Sequence, residues 1–195
     1  MKDDRKNSRH VAISAAAYSL LEEKGYAGAS MLSIAKAAKA SNETLYRWYG
    51  DKKGLFERLV RDNAAETEQI LKTAIAREDD ALQTLEKVAP VLLTVLLSDR
   101  AILLNRAAAA EPTGELGAAV SVGGRNVVQP LFGKILQPLA LDNNLDAKQM
   151  TGLFLSLLIG DRQIKRVIGV EEAPSRSDIE TQTAAALHSF SKLIA

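Results

Sequence analysis

Three aromatic rings, Tyr46, Trp48 and Tyr49, fall within four residues of a chain that has only nine Phe, Tyr and Trp in all. Arg47 lies among them, and Lys52 and Lys53 follow closely. Tyr, Ser, Thr, Asn and Lys side chains, together with helix N-termini, are groups that hydrogen-bond phosphate oxygens. Arginine is the side chain that meets a guanine edge through paired bonds. The stretch SNETLYRWYGDKKGLF, Ser41 to Phe56, therefore collects groups suited to a polyanion. Its rings add an apolar anchor whose tyrosine tips can stay wet. Two lysines at the start of a helix sit at the wrong end of its dipole, which points to an external anion.

Catalytic chemistry has much less to work with. His10 and His188 are the only histidines and there is no cysteine, so thiolate nucleophiles, disulfides and thiolate metal sites are excluded. No metal-ligand cluster, glycine-rich phosphate loop or nucleophile–base spacing is present. The carboxylate pairs Asp79-Asp80 and Glu171-Glu172 fall at helix boundaries or in loops, where capping and solvation account for them. No catalytic residue, metal or cofactor is expected.

The elements that must position the basic-aromatic stretch are helical. Alternating β-branched runs are missing, and Ala, Leu, Glu, Lys and Arg dominate between Gly and Pro breaks, so the chain reads as all-α. A first helix runs from about Asp3 to Lys24 with Ile13, Ala16, Ala17, Leu20 and Leu21 on one stripe, and stops at Gly25. Ser30 caps a short helix through Leu32, Ile34, Ala35 and Ala38, and Ser41 caps a second that ends at Gly50. Asp51 starts a longer helix through Leu55, Phe56, Leu59 and Val60 to about Ala76. Two short helices and a long one form a helix-turn-helix pattern. At about 100° per residue, Leu45, Trp48 and Tyr49 share one arc. Glu43 and Arg47 lie opposite, with Thr44 and Tyr46 on the flanks.

With 195 residues, 47% hydrophobic and 25% charged, the chain can bury a real core in one domain or two small ones. Its net charge of +1 divides unevenly. Residues 1–61 hold 12 Lys plus Arg against 7 Asp plus Glu, and residues 62–195 hold 13 against 17. A basic front on an acidic remainder is the asymmetry of a nucleic-acid-binding head on another kind of body. The N-terminus imitates a signal peptide, but Ser14 and Ser19 interrupt its apolar run and Glu22, Glu23 and Lys24 end it. The run Val88 to Leu97 is short of the ~20 residues that span a bilayer. A soluble, cytoplasmic protein with no membrane partner is expected.

The segment GYAGASMLSIAKAAKASNETLYRWYGDKKGLFERLV resembles the DNA-binding region of the TetR family of bacterial transcriptional repressors. The resemblance rests on Gly25-Tyr26, Ser30, Ile34-Ala35, Ser41, Thr44-Leu45-Tyr46, Tyr49, Lys52 and Leu55, over roughly residues 9–61. It implies a three-helix helix-turn-helix DNA-binding domain, placed at residues 1–52, and a helical regulatory, ligand-binding and dimerisation domain, placed at 53–195. It implies a homodimer through the last two helices, a palindromic operator in double-stranded DNA and an unidentified small-molecule effector. Carried over by position, the DNA contacts are Ser30, Ser41, Asn42, Thr44, Tyr46, Arg47 and Lys52. Tyr46 and Lys52 would hold phosphates, while Asn42, Thr44 and Arg47 approach base edges. Glu43 either accepts from cytosine or restrains Arg47. Where the family usually carries Gly then Val in the turn, this chain has Lys39 and Ala40. A left-handed backbone at Lys39 would cost roughly 1–2 kcal/mol. That departure is the one support for the alternative reading, a helical small-molecule-binding protein without DNA-binding activity.

Residues 79–195 read as about five further helices. The third of them, from Glu115 toward Leu141, is interrupted at Gly123-Gly124, Pro130 and Pro138. Asp146 caps a helix with Met150, Leu153, Phe154, Leu157 and Leu158 on one face, and the last helix carries Ile179, Leu187 and Phe190. Gly152 and Gly160 would permit close approach of a second copy. Ligand-binding residues stay unassigned. The polar candidates are Asn105, Arg106, Arg125, Asn126, Gln129, Arg162 and Gln163.

Overall fold

The computed structural model describes residues 2–194, with side chains from residue 5 onward. Eleven helices are described: α1 Lys2–Gly28, α2 Met31–Ala37, α3 Asn42–Tyr49, α4 Lys52–Arg77, α5 Ala81–Leu97, α6 Asp99–Ala110, α7 Glu115–Val120, α8 Asn126–Asp142, α9 Ala147–Ile159, α10 Arg162–Ile168 and α11 Arg176–Leu193. A π-helical turn, Ser121–Arg125, joins α7 to α8. No strand occurs among the described residues.

Local chemistry sets most boundaries. In α1 the backbone leaves helical space at Gly25, at φ 66° and ψ 177°, a conformation glycine reaches without a Cβ penalty. The Ser30 hydroxyl accepts from the Ser33 amide while Ser33 Oγ accepts from the Ser30 amide, a reciprocal cap. Asp146 and Ser175 cap α9 and α11 reciprocally as well, while Asp51 and Asp80 cap α4 and α5 by a single bond from the amide three residues on. Gly123 and Gly124 lie in the π-turn, which takes the place of a full break, while Pro130 and Pro138 stay inside α8. What reads as one helix from Asp146 to Ile168 is two. Gly160, at φ 54°, separates α9 from α10.

Two hydrophobic cores share α4. The head core joins Ile13, Ala17, Tyr18, Leu20 and Leu21 of α1 to Met31, Ile34 and Ala35 of α2, Leu45 of α3, and Leu55, Phe56, Leu59 and Val60 of α4. Leu104 and Ala107 of α6, with Leu116 and Ala119 of α7, close it from the body side. The body core gathers Leu71 of α4, Leu85, Val88 and Leu93 of α5, and Leu136 of α8. At its centre the Phe154 ring lies 5.9 Å from that of Phe132 and 5.3 Å from that of Phe190. The changeover along α4 falls between Val60 and Ala64, so one continuous rod belongs to both cores.

Buried arginine and amide groups fasten the later helices. Arg166, 7% exposed, donates to Leu97 O and to Asp99, while Arg106 donates to the carbonyls of Arg166 and Val167. Gln182 of α11 donates to the carbonyls of Leu157 and Leu158 near the end of α9. Apart from the bond to the Asp99 carboxylate, these bonds go to carbonyls in the last turns of helices, where intrahelical partners run out. No single described helix is long and apolar enough to cross a membrane.

Candidate nucleic-acid interface and ligand cavity

An eight-residue helix such as α3 is too short to hold itself, so its geometry comes from what it packs on. Leu45 is fully buried in the head core, and Trp48 and Tyr49 are half-buried against it. Ser41 caps the helix through the Thr44 amide at 3.1 Å, and Gly50 ends it at φ 78°. The Tyr49 hydroxyl meets His10 Nδ1 at 2.7 Å, and His10 Nε2 meets Asp62 at 2.6 Å. An ionised carboxylate only accepts, so Nε2 carries a proton toward Asp62, and in the neutral ring Nδ1 accepts from Tyr49. This chain of bonds ties α1, α3 and α4 together. Burial pushes the Tyr49 hydroxyl up to about 12.

The outward face of α3 is left open. Asn42, Glu43 and Arg47 are exposed, and none makes a hydrogen bond or ion pair among the described residues. Tyr46 is 49% exposed. Glu43 and Arg47, four residues apart, do not pair with each other. Ser30 and Ser41 are exposed at the N-termini of α2 and α3, where their hydroxyls serve as caps. Between the two helices Lys39 takes the left-handed conformation at φ 50°, so the turn keeps the shape a glycine would give it. Lys36 and Lys39 are exposed there without an ion pair.

Thr44 and Lys52 turn inward, and Lys53 is paired at the surface. Thr44 is only 6% exposed and its hydroxyl lies 2.8 Å from that of Ser41. The Lys52 ammonium donates to the carbonyls of Tyr26 and Ala29 at 2.8 and 3.0 Å, and burial holds its pKa below the usual lysine value. Lys53 pairs with Glu115 of α7 at 3.1 Å. The lysine pair read in the sequence as a mark of an external anion has partners within the chain, Lys52 on two backbone carbonyls and Lys53 on an exposed carboxylate. Those partners come from α1 and α7, which nothing near Lys52 in the sequence announces.

A cavity of about 660 Å³ lies in the body, walled by segments of α4 to α10 and the π-turn. Of the polar candidates, Asn105, Arg125, Gln129 and Gln163 line it. Arg106, Asn126 and Arg162 do not; Arg106 serves the end of α10, and Asn126 accepts from Ser121. Four polar lining residues escaped the sequence reading, Asn63 and Thr67 of α4, Ser121 of the π-turn and Ser156 of α9. A signal for Thr67 was present, since Val60, Ala64, Thr67, Leu71 and Ala74 recur at helical spacing and all are buried. Val60 and Leu104 belong to the head core and also line the cavity.

Comparisons with known proteins agree with this geometry. Residues 13–59 match the family described as bacterial regulatory proteins, tetR family. The uncharacterized HTH-type transcriptional regulator YdeS of Bacillus subtilis (strain 168) is 44% identical over 48 residues, which is 25% of this chain and 24% of that relative. The chain thus matches about a quarter of the relative's length. Among solved structures, a TetR-family transcriptional regulator of Mesorhizobium loti MAFF303099 is 22% identical with a TM-score of 0.74, covering 97% of this chain and 98% of that one. A TetR transcriptional regulator of Agrobacterium tumefaciens is 25% identical with a TM-score of 0.70, covering 95% and 93%. The regulator FadR of Bacillus subtilis, solved with stearoyl-CoA, has a TM-score of 0.71 at 14% identity, covering 92% and 96%. The fold is that of TetR-type transcriptional regulators. Residues 13–59 of the chain carry the DNA-binding region described for the tetR family of bacterial regulatory proteins.

Proposed function

We propose that the chain is a cytoplasmic, homodimeric transcriptional repressor that binds a palindromic operator and leaves it when a small molecule enters the body cavity. The observation that carries this reading is the face of α3. A helix pinned by a fully buried Leu45 presents Asn42, Tyr46 and Arg47 outward with no hydrogen-bond or ion-pair partner among the described residues. Ser30 and Ser41, exposed at their helix N-termini, add phosphate contacts. Thr44 and Lys52, turned inward, act by holding the reading helix in place.

Two copies join through the α9–α10 arm and α11. Supporting this, Ile168 and Val170, which do not line the cavity, are both more than half exposed. Dimerisation sets the two α3 helices about 34–36 Å apart, one turn of DNA. The effector works through α4, which carries the head core at Val60 and walls the cavity from Val60 to Thr67. The stearoyl-CoA held by the Bacillus subtilis FadR is in keeping with a ligand-responsive body. The ligand shifts the heads only by as much as it prefers one arrangement over the other.

A mobility-shift assay with inverted repeats from the DNA beside the chain's own gene tests the reading. Binding should weaken steeply with salt as counterions are released, and the free protein should have twice the 21.0 kDa chain mass. A 21.0 kDa particle that retards no fragment at low salt overturns it.

A further inference from the structure

The wall of the cavity is chemically one-sided. Arg125 is its single ionisable residue; no Asp, Glu, Lys or His lines it. Arg125 closes the π-turn, is exposed at the rim, and makes no ion pair or hydrogen bond among the described residues. Its guanidinium is charged at every accessible pH. A second observation marks the interior. Thr67 is 1% exposed and its hydroxyl has no hydrogen-bond partner, a costly condition for a buried polar group. The Ser14 and Thr183 hydroxyls share that condition, but neither lines the cavity. Asn105 and Gln163 each donate to a helix carbonyl, which leaves their amide oxygens to accept. The rest is largely aliphatic, including Leu92, Val95, Val128 and Ile159.

We propose that the cavity takes an amphiphilic carboxylate, with its apolar body among the aliphatic side chains and its carboxylate at Arg125. The inference deepens the regulator reading and rests on it only in treating this cavity as the effector site. A volume of about 660 Å³ lies within the ~300–1,000 Å³ of small-molecule sites that are mostly apolar with a few polar groups. A cation of the same shape meets one positive charge and no carboxylate. A neutral molecule keeps the apolar contacts and loses the ion pair and the bidentate bond to a carboxylate. Because the arginine stands at a wet rim, the gain is modest.

The test compares dodecanoate, dodecanol and dodecyltrimethylammonium, each below its critical micelle concentration, by calorimetry on the full chain. Dodecanoate should bind about three- to tenfold more tightly than dodecanol, and the ammonium least of all. Arg125→Gln should erase the preference for carboxylate over alcohol, weakening dodecanoate far more than dodecanol. Equal binding of carboxylate and ammonium, an unchanged preference in Arg125→Gln, or no binding of any probe overturns the inference. Gel retardation of operator DNA is read separately. Retardation without carboxylate preference sinks this inference alone, and carboxylate preference without retardation sinks the regulator reading alone.

Discussion

The Lys52 ammonium lies 2.8 Å from the Tyr26 carbonyl oxygen and 4.1 Å from the centre of the same residue's ring. Its bond to Ala29 O, at 3.0 Å, completes a strap from the start of α4 to the end of α1, with α3 between them in sequence. Lys52→Ala removes two charge-assisted bonds and a cation–π contact, and should lower unfolding free energy by about 1–3 kcal/mol in urea titrations. Arg47→Ala removes an exposed side chain that has no hydrogen bond or ion pair among the described residues. It should leave the unfolding curve within about 0.5 kcal/mol of the parent and relax base preference by ~1–3 kcal/mol at one operator position. A Lys52→Ala protein that unfolds like the parent but binds every DNA sequence more weakly would return that lysine to the phosphate backbone.

Lys39 holds the left-handed turn between α2 and α3. Such a backbone costs a non-glycine residue roughly 1–2 kcal/mol, while glycine loses about 0.5–1 kcal/mol more entropy on folding. Lys39→Gly should therefore stabilise the chain by about 0.5–1 kcal/mol, a rise in melting temperature of roughly 1–4 °C. The same change removes an exposed, unpaired cation beside the reading helix. Operator affinity should fall and its salt dependence should become shallower, by about one counterion. A lower melting temperature, or an unchanged salt slope, would contradict this account.

The division between what was legible in the sequence and what was not follows the range of the interactions. Ser30, Ser41, Asp51 and Asp146 could be read as caps because a cap needs one side chain and one amide three residues on. The all-α fold and the helix-turn-helix followed from the same local rules and from the burial stripe of Ile13, Ala17, Leu20 and Leu21. The directions of Lys52 and Lys53 could not be read, since their partners at Tyr26, Ala29 and Glu115 are distant in sequence. Cavity lining divided in a similar way. Gln129 and Asn105 stood out as polar residues among apolar ones, but Thr67 lies in the long helix after Asp51, outside the segment in which the sequence suggested pocket residues. The break at Gly160 was missed because a glycine inside an apolar helical pattern serves equally as a packing site.

Tyrosine ionisation reports on the head. Burial raises the hydroxyls of Tyr18 and Tyr49 to about 12, and that of Tyr26 is raised as well. Each folded value lies above the ordinary ~10, so the folded chain keeps protons that the unfolded chain gives up. Their stabilising contribution is complete below pH ~10 and is lost as pH climbs through about 12. Phenolate absorbance should reach completion at higher pH in the folded protein than in urea. Tyr49→Phe should remove one delayed step and, by cutting the bond to His10, loosen α3. A native titration that overlays the unfolded one would mean these rings are far wetter than their packing implies.

The corner between α3 and α4 has no slack. A Cβ on Gly54 would stand 2.0 Å from the carbonyl oxygen of Tyr49, the last residue of α3. The link is only Gly50 and Asp51, and the Asp51 carboxylate accepts from the Gly54 amide at 2.7 Å. Gly54→Ala must push the first turn of α4 away from α3, which strains the core and opens the cap. The expected loss is about 2–4 kcal/mol, the sum of an overpacking cost and a lost N-cap. DNA binding should disappear even at temperatures where the body stays helical. Gly117→Ala is the control, because nothing lies within 4 Å of its Cβ position. In helix α7 that change should be neutral or stabilise by up to about 1 kcal/mol. Circular dichroism melts and gel retardation of the two variants decide the matter. If Gly54→Ala melts with the parent and still retards DNA, α3 is not set by its junction with α4, and the head must take its shape from the α1 side alone.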